Sequence, residues 1–279
     1  EAVAAEASIA LNEERLAAAR RLQMETERRV AAAREPAFAG ARVGALLAET
    51  EIALASARSN AQTTKATLAA YWDGSPDFQL ESAWLNGGDA DWDVSQIETS
   101  ADLALFQAER QSAGARLGFE EARAVQDPTF AGGIRHFAMG NDLALVASVA
   151  IPLPFNDDNS GNISRALAER EAADHEYAAQ RRNLQREIAT LQSRIGAYAI
   201  EADSLELSAI PQAERALSLI QEGFERGAFE YIDIIDAERN LNNAETRRLE
   251  VLRTYHLDLA RFNRLSGRYA FIISGQETR

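Results

Sequence analysis

Thr129-Phe130-Ala131-Gly132-Gly133-Ile134-Arg135-His136-Phe137, opened by Pro128, and Leu143-Ala144-Leu145-Val146-Ala147-Ser148-Val149-Ala150-Ile151 carry the period that decides the fold. Ala138-Met139-Gly140-Asn141-Asp142 lies between them as a turn. In the second run Leu143, Leu145, Val149 and Ile151 share one face. Asp142, Ala144, Ser148 and Ala150 share the other, and Val146 is the exception. A period of two predicts a β-hairpin, which Pro152-Leu153-Pro154 then stops. Each run has about the nine residues a tilted strand needs to cross a bilayer. An apolar face set against a small-residue face is what the wall of a membrane barrel requires. Two strands alone are marginal in water, and open edges cannot sit in lipid. One hairpin cannot close a barrel, so the pattern predicts an oligomer that shares one. A small soluble flap docked on helices fits the same periodicity.

On either side the period is helical. Residues 1 to about 35 read as one alanine-rich helix. Pro36, Gly40 and Gly44 mark a turn, and a second helix runs from about Ala45 to Tyr71. Residues 75–99 carry Pro, Gly-Gly and Asp clusters and read as an irregular connector, with Trp72, Trp84 and Trp92 as packing residues. A third helix covers about Ala101 to Val125. From about Ile163 to Glu222 the helical pattern is almost unbroken. Leu184, Ile188, Leu191, Ile195, Tyr198, Ala202 and Leu205 step by four and three, a heptad seam. Pro211 is expected to kink this helix rather than end it. Roughly 60 residues at about 1.5 Å each give a helix too long for a compact domain of this size. Gly223 and Gly227 mark a turn, and a last helix runs from about Tyr231 to Leu265.

Gly40 and Gly227 each precede a Leu by fourteen residues (Leu54 and Leu241) and an Ala by seventeen (Ala57 and Ala244). The constant offset of 187 (227 − 40) predicts two copies of one helix–turn–helix unit. By that symmetry a first hairpin would precede residue 1. The expected organisation is a first helical hairpin over 1–74, a connector over 75–100, an upper helix over 101–127, the β-hairpin over 128–154, a second and longer helical hairpin over 155–267, and a tail over 268–279.

Composition narrows the function. The chain has 279 residues, with 29 Lys+Arg against 43 Asp+Glu for a formal charge of −14. Phosphate contacts dominate nucleic-acid affinity, so no nucleic-acid partner is expected. The same charge argues against an amphipathic membrane-shaping protein, whose helices carry a basic face. There is no Cys, hence no disulfide and no thiolate site. No run of about 18 apolar residues is present, so no transmembrane helix is expected. His136, His175 and His256 lie outside ligand spacing of one another. No nucleophile–base pair and no phosphate loop is found. Neither an enzyme nor a cofactor nor a resident metal is expected. A soluble coiled-coil scaffold remains the competing class.

Ile151-Pro152-Leu153-Pro154-Phe155 followed by Asp158-Asn159-Ser160-Gly161-Asn162-Ile163 resembles the strand-to-helix junction of TolC-type outer-membrane efflux proteins, nearest to their heavy-metal, CzcC/CusC-like branch. Asp127-Pro128 fits as well. Gly227-Ala228-Phe229-Glu230-Tyr231-Ile232-Asp233-Ile234-Ile235-Asp236-Ala237-Glu238 resembles the tip of that family's second helical hairpin. The resemblance covers nearly the whole chain and starts partway down the first long helix, so an N-terminal part is expected to be missing. It implies a mainly α protein with a small β part: long coiled-coil helices build an α-helical barrel, and the β-hairpin contributes to a trimeric outer-membrane β-barrel. It further implies a homotrimer, a location in the outer membrane extending into the periplasm, a periplasmic adaptor protein and an inner-membrane RND-type pump as partners. The function it implies is a passive duct, with heavy-metal cations as one cargo.

By the same resemblance Asp233 and Asp236, at i and i+3 on one helix face, match acidic positions that ring the duct near its periplasmic mouth. Phe224 stands where an aromatic hydroxyl would be, Phe229 where an arginine would be, and Leu46 at the matching first-tip position. An apolar constriction is therefore expected in place of a polar latch. Gly40 and Gly227 are expected as tip turns that an adaptor approaches, with Arg42 and Arg226 beside them. Leu143, Leu145, Val149 and Ile151 are expected to face lipid.

Overall fold

The computed structural model describes residues 1–81, 83–86, 92–94, 97–137, 139, 142–151 and 159–268. In chain order these form α1 (Ala2–Ala31), α2 (Ala37–Ala69), a short α3 (Ala83–Asn86), α4 (Ala101–Ala124), β1 (Thr129–Phe137), β2 (Asp142–Ala150), α5 (Ser160–Ser204), α6 (Ile210–Glu225) and α7 (Tyr231–Leu265). Residues 138, 140–141 and 152–158, which carry much of the expected turn and the proline-rich junction, lie outside the described residues, as does the side chain of Trp84. The chain divides into two compact units, one made of Glu1–Asp93 with Ala189–Asn263 and the other of Val94–Ile188 with Arg264–Arg279. Both are discontinuous in sequence, because the long helices return on themselves.

The first unit is a helical bundle. From Glu1 to Arg34 the chain has neither Gly nor Pro, and alanine dominates the inward positions of α1 and α2. Ala4, Ala5, Ala19, Ala39, Ala57, Ala61 and Ala69 are buried. Small side chains let two helix axes approach closely, and long helices gain most of their stability from such packing. Of the expected seam, Leu191, Ile195 and Ala202 in this unit and Leu184 and Ile188 in the second are buried, and Tyr198 and Leu205 are half-buried. Pro211 supplies no N–H to the helical ladder, and the chain passes it through a π turn at Leu205–Ala209, where the Ile210 N–H bonds the Leu205 carbonyl. Farther along, His256 is buried with Nε2 2.8 Å from the Leu85 carbonyl, and Trp92 stacks edge-on against Phe262.

The helix turns correct one expectation. α1 ends at Ala31 and α2 starts at Ala37, so Gly40 and Gly44 lie inside α2 and the turn is centred on Ala33. Ala33 has φ +56° and Gly227 has φ +76°. The Arg34 N–H bonds the Arg29 carbonyl and the Ala33 N–H bonds that of Val30. The Ala228 N–H bonds the Gly223 carbonyl and the Gly227 N–H bonds that of Phe224. Both turns are thus Schellman caps with a left-handed residue after the last helical turn. Every donor and acceptor in one has its counterpart 194 residues away in the other (227 − 33). The unit is duplicated, but its register differs by one heptad from the glycine-based offset of 187. The signal at the first turn is Pro36, the N-cap of α2 with extended backbone.

In the second unit Asn159, at φ +56°, opens α5. Its amide donates to the Glu120 carbonyl at 2.8 Å and to Glu120 Oε2 at 2.9 Å, tying the start of α5 to the end of α4. Tyr177 and Arg181 of α5 both donate to Glu98, whose carboxyl is held below its usual range first by the Tyr177 hydroxyl and then by Arg181.

A left-handed Ala costs more than a left-handed Gly. Ala33→Gly should therefore stabilise the first turn by about 0.5–1 kcal/mol, and Gly227→Ala should weaken the second by about 1 kcal/mol. A Cβ at Gly227 would meet nothing within 4 Å, so the second effect is purely conformational. Hydrogen exchange of the Arg34 and Ala228 amides is the measurement, and the two substitutions should move it in opposite directions.

Candidate functional site

The two Schellman turns stand at one end of the first unit, over a shared apolar cluster. Leu22 of α1, Ala39 and Val43 of α2, Phe224 of α6, and Tyr231, Ile234 and Ile235 of α7 are buried together, with Val30, Leu46, Leu217 and Ile220 packed on them. Phe38 meets Tyr231 edge-on at 6.4 Å. The Phe229 ring folds back on Gly223, where an added Cβ would come within 2.1 Å of it, so a larger residue there would have to displace the ring. Arg29 closes the arrangement. Its guanidinium lies 3.7 Å from the centre of the Phe224 ring, its Nη1 donates to the Phe224 carbonyl at 3.1 Å, and its Nε donates to Glu25. A cation thus sits at the carbonyl end of α6, where the helix dipole favours it.

The hairpin is the other candidate, in the second unit. β1 and β2 pair antiparallel, with Phe130 opposite Val149, Ile134 opposite Leu145 and His136 opposite Leu143. Directly opposed residues share a face. One face therefore carries Phe130, Ile134, Leu143, Leu145, Val149 and then Ile151, all between 58% and 88% exposed, together with Gly132, Ala147 and one polar residue, His136. The other carries Thr129, Ala131, Gly133, Arg135, Ala144, Ser148 and Ala150, with Phe137 and Val146 as its large apolar members. A docked flap would bury the first face, and here it is uncovered along its whole length. Leu143, Leu145, Val149 and Ile151, expected to face lipid, are all exposed.

Residues 95–268 match the family model described as outer membrane efflux protein. The chain belongs to that family. It is 31% identical over 226 residues to the cobalt-zinc-cadmium resistance protein CzcC of Cupriavidus metallidurans, a match that covers 79% of this chain and 54% of that protein. The chain thus spans about half the length of this curated relative. Among solved structures it superposes on CusC with a TM-score of 0.76 at 14% identity, covering 95% of this chain and 65% of that one. It superposes on the outer membrane protein VceC of Vibrio cholerae with a TM-score of 0.68 at 24% identity, covering 95% and 68%. At those identities the likeness shows the fold, which is that of outer-membrane efflux channel protomers: mainly helical, with a small antiparallel hairpin.

Against that fold the expected tip residues separate. Gly227 is exposed at the second turn and Arg226 beside it is ion-paired with Glu222 at 2.9 Å. Gly40 and Arg42 lie on α2 beyond the first turn, with Arg42 exposed, so the first turn itself is made by Ala33, Arg34 and Glu35. Phe224 is corrected: it is 3% exposed and belongs to the apolar cluster, because Arg29 and the α7 side chains cover its ring. Asp236 is exposed. Asp233 is half-buried, and its Oδ2 accepts the Glu230 N–H at 2.9 Å, so it also caps α7. Arg29 does not stand out in the sequence because it is one of several arginines in an ordinary helical pattern. Its partner is a carbonyl 195 residues away, which no spacing reveals.

Arg29→Ala removes both the stacking and the carbonyl contact and should cost the tip about 1–2 kcal/mol. Arg29→Lys should recover less than half, since an ammonium cannot stack and reach the carbonyl together. Faster limited proteolysis at 226–230 in the alanine variant, with helix content unchanged, is the expected result.

Proposed function

We propose that this chain is part of the outer-membrane channel of a tripartite efflux system, a passive duct from periplasm to exterior that works as a homotrimer. The observation that carries this is the hairpin, two nine-residue strands with one exposed apolar face. A coiled-coil scaffold in solution would need that face packed on helices. In the duct the hairpin lies in the barrel wall and the helical bundle extends into the periplasm, with its tips toward an adaptor protein that joins an inner-membrane RND-type pump. The likeness to a cobalt-zinc-cadmium resistance protein supports divalent heavy-metal cations as cargo. The charge of −14 is compatible with a duct that passes cations. The duct does no chemistry and holds no cofactor. Asp236, with Asp233 behind it, forms an acidic ring at the periplasmic mouth, and Gly227 and Arg226 stand where the adaptor docks.

Leu145→Arg in the full-length protein should cost about 2–4 kcal/mol near mid-bilayer and block insertion, whereas Ala144→Ser on the opposite face should insert normally. Heat-modifiable trimer in outer-membrane fractions is the readout, and normal insertion of Leu145→Arg would sink the wall assignment.

The acidic ring is tested by Asp236→Asn, which keeps shape and leaves the cap at Asp233 intact. Reconstituted channels should assemble, lose cation preference and lose block by a trivalent cation in single-channel recordings. Unchanged block would return Asp236 to an ordinary solvated helix face.

A further inference from the structure

Behind the apolar cluster the bundle changes character. Tyr231, Ile235, Glu238, Asn242, Glu245, Leu249 and Leu252 step by four and three along α7, a second heptad seam whose three central positions are polar. Those positions border a pocket of about 300 Å³ in the first unit, half open to solvent. The charged groups facing it are Glu14, Arg15 and Arg21 from α1 and Glu238 and Glu245 from α7. α2 contributes Leu46 and Thr50, and α6 contributes Leu217 and Gln221. Glu214 of α6 also acts on Glu245 through space. Arg15 is committed to the far end of the pocket. Its Nη2 donates to the Asn242 carbonyl at 2.5 Å and to Thr246 Oγ1 at 2.9 Å, and lies 3.5 Å from Glu245. Glu238, one heptad back, has no hydrogen-bond or ion-pair partner among the described residues, and the exposed Arg21 acts on it only at longer range.

We propose that Glu238 makes the seam between α1 and α7 a proton-sensitive clamp, closed more tightly in acid and loosened as the medium becomes alkaline. When ionised, the half-buried Glu238 needs more water than the half-apolar pocket gives it, which favours a wider gap between the helices. When protonated, it is neutral and the walls can close on it. Burial pushes the Glu238 carboxyl above its usual range, against the pull of Arg21, and pushes Glu245 the same way against Arg15. The packed seam therefore binds its proton more tightly than a seam opened to water. Falling pH favours the packed form and rising pH withdraws that preference. α1 belongs to the first helical pair and α7 to the second, so the clamp governs how firmly the pairs hold together just behind their tips. It acts whether or not the assembly conducts.

Spin labels can be placed at Ala17→Cys and Asn243→Cys, exposed positions on α1 and α7, in the full-length protein in detergent, with any cysteine outside these 279 residues replaced. The distance distribution should shift to shorter values as the pH is lowered from alkaline to acidic. Glu238→Gln, which keeps shape, should give the short distribution at both pH values. Arg21→Gln should move the transition to higher pH. An unchanged distribution in the parent, or a parent-like shift in Glu238→Gln, would overturn the proposal. Conductance of the same preparations tests the duct separately: a shift in channels that do not conduct would sink the duct and leave the clamp.

Discussion

A two-stranded sheet has two open edges and, here, one uncovered apolar face. That unmet demand organises everything else in this chain. In water such a hairpin is marginal, and in lipid its free backbone groups cost several kcal/mol each unless paired. Neither requirement is met within the described residues, since β1 and β2 pair only with each other. In the homotrimer proposed above, strands from other copies meet that demand, and a helical frame holds each hairpin in register with its neighbours. Asn159, bonded to both the backbone and the side chain of Glu120, ties the start of α5 to the end of α4 within that frame.

The helical frame is built by duplication, and its turns show what was duplicated. The equivalent atoms of the two turns are backbone donors and acceptors 194 residues apart, not glycines. A Schellman cap requires only a residue that tolerates left-handed φ and a chain that leaves the helix. Gly227 meets the first condition by having no Cβ. Ala33 meets it at some cost, with Pro36 ensuring that the helix cannot continue. A repeat aligned on glycine therefore lands one heptad late, because a heptad-repeated helix resembles itself when shifted by seven.

The same logic separates what the residues disclose from what they hide. The hairpin is legible because a helix repeats every 3.6 residues and cannot sustain a period of two over nine. The observed strands, Thr129–Phe137 and Asp142–Ala150, lie within a residue of the expected ones. The α5 seam is legible because its seven positions are apolar or small. The α7 seam is not, because Glu238, Asn242 and Glu245 break the apolar run in its middle. At the tip, spacing puts Asp233 and Asp236 on one face correctly. It cannot show that Asp233 spends an oxygen on a backbone N–H, or that Phe224 faces the interior. The burial of Phe224 depends on partners supplied by α1, nearly two hundred residues away.

That polar interruption is itself informative about register. On α1 the inward positions Ala5, Ser8, Asn12, Arg15, Ala19, Leu22 and Thr26 also step by three and four, so α1 and α7 each carry polar residues in the middle of a seam. Asn12 and Thr26 are buried, and the Asn12 amide donates to the Ser8 carbonyl at 2.7 Å within its own helix. An alanine-rich seam packs almost equally well when slid by a heptad, since one small residue replaces another. Arg15 is less tolerant: a slide of one heptad would still offer it a backbone carbonyl and Glu238 for Glu245, but would put Arg239 where Thr246 now accepts its bond. Polar seam positions cost stability and return specificity. In two long helices with few large apolar side chains between them, that exchange decides whether the tips, and the Arg29–Phe224 contact that depends on their alignment, meet at the same height.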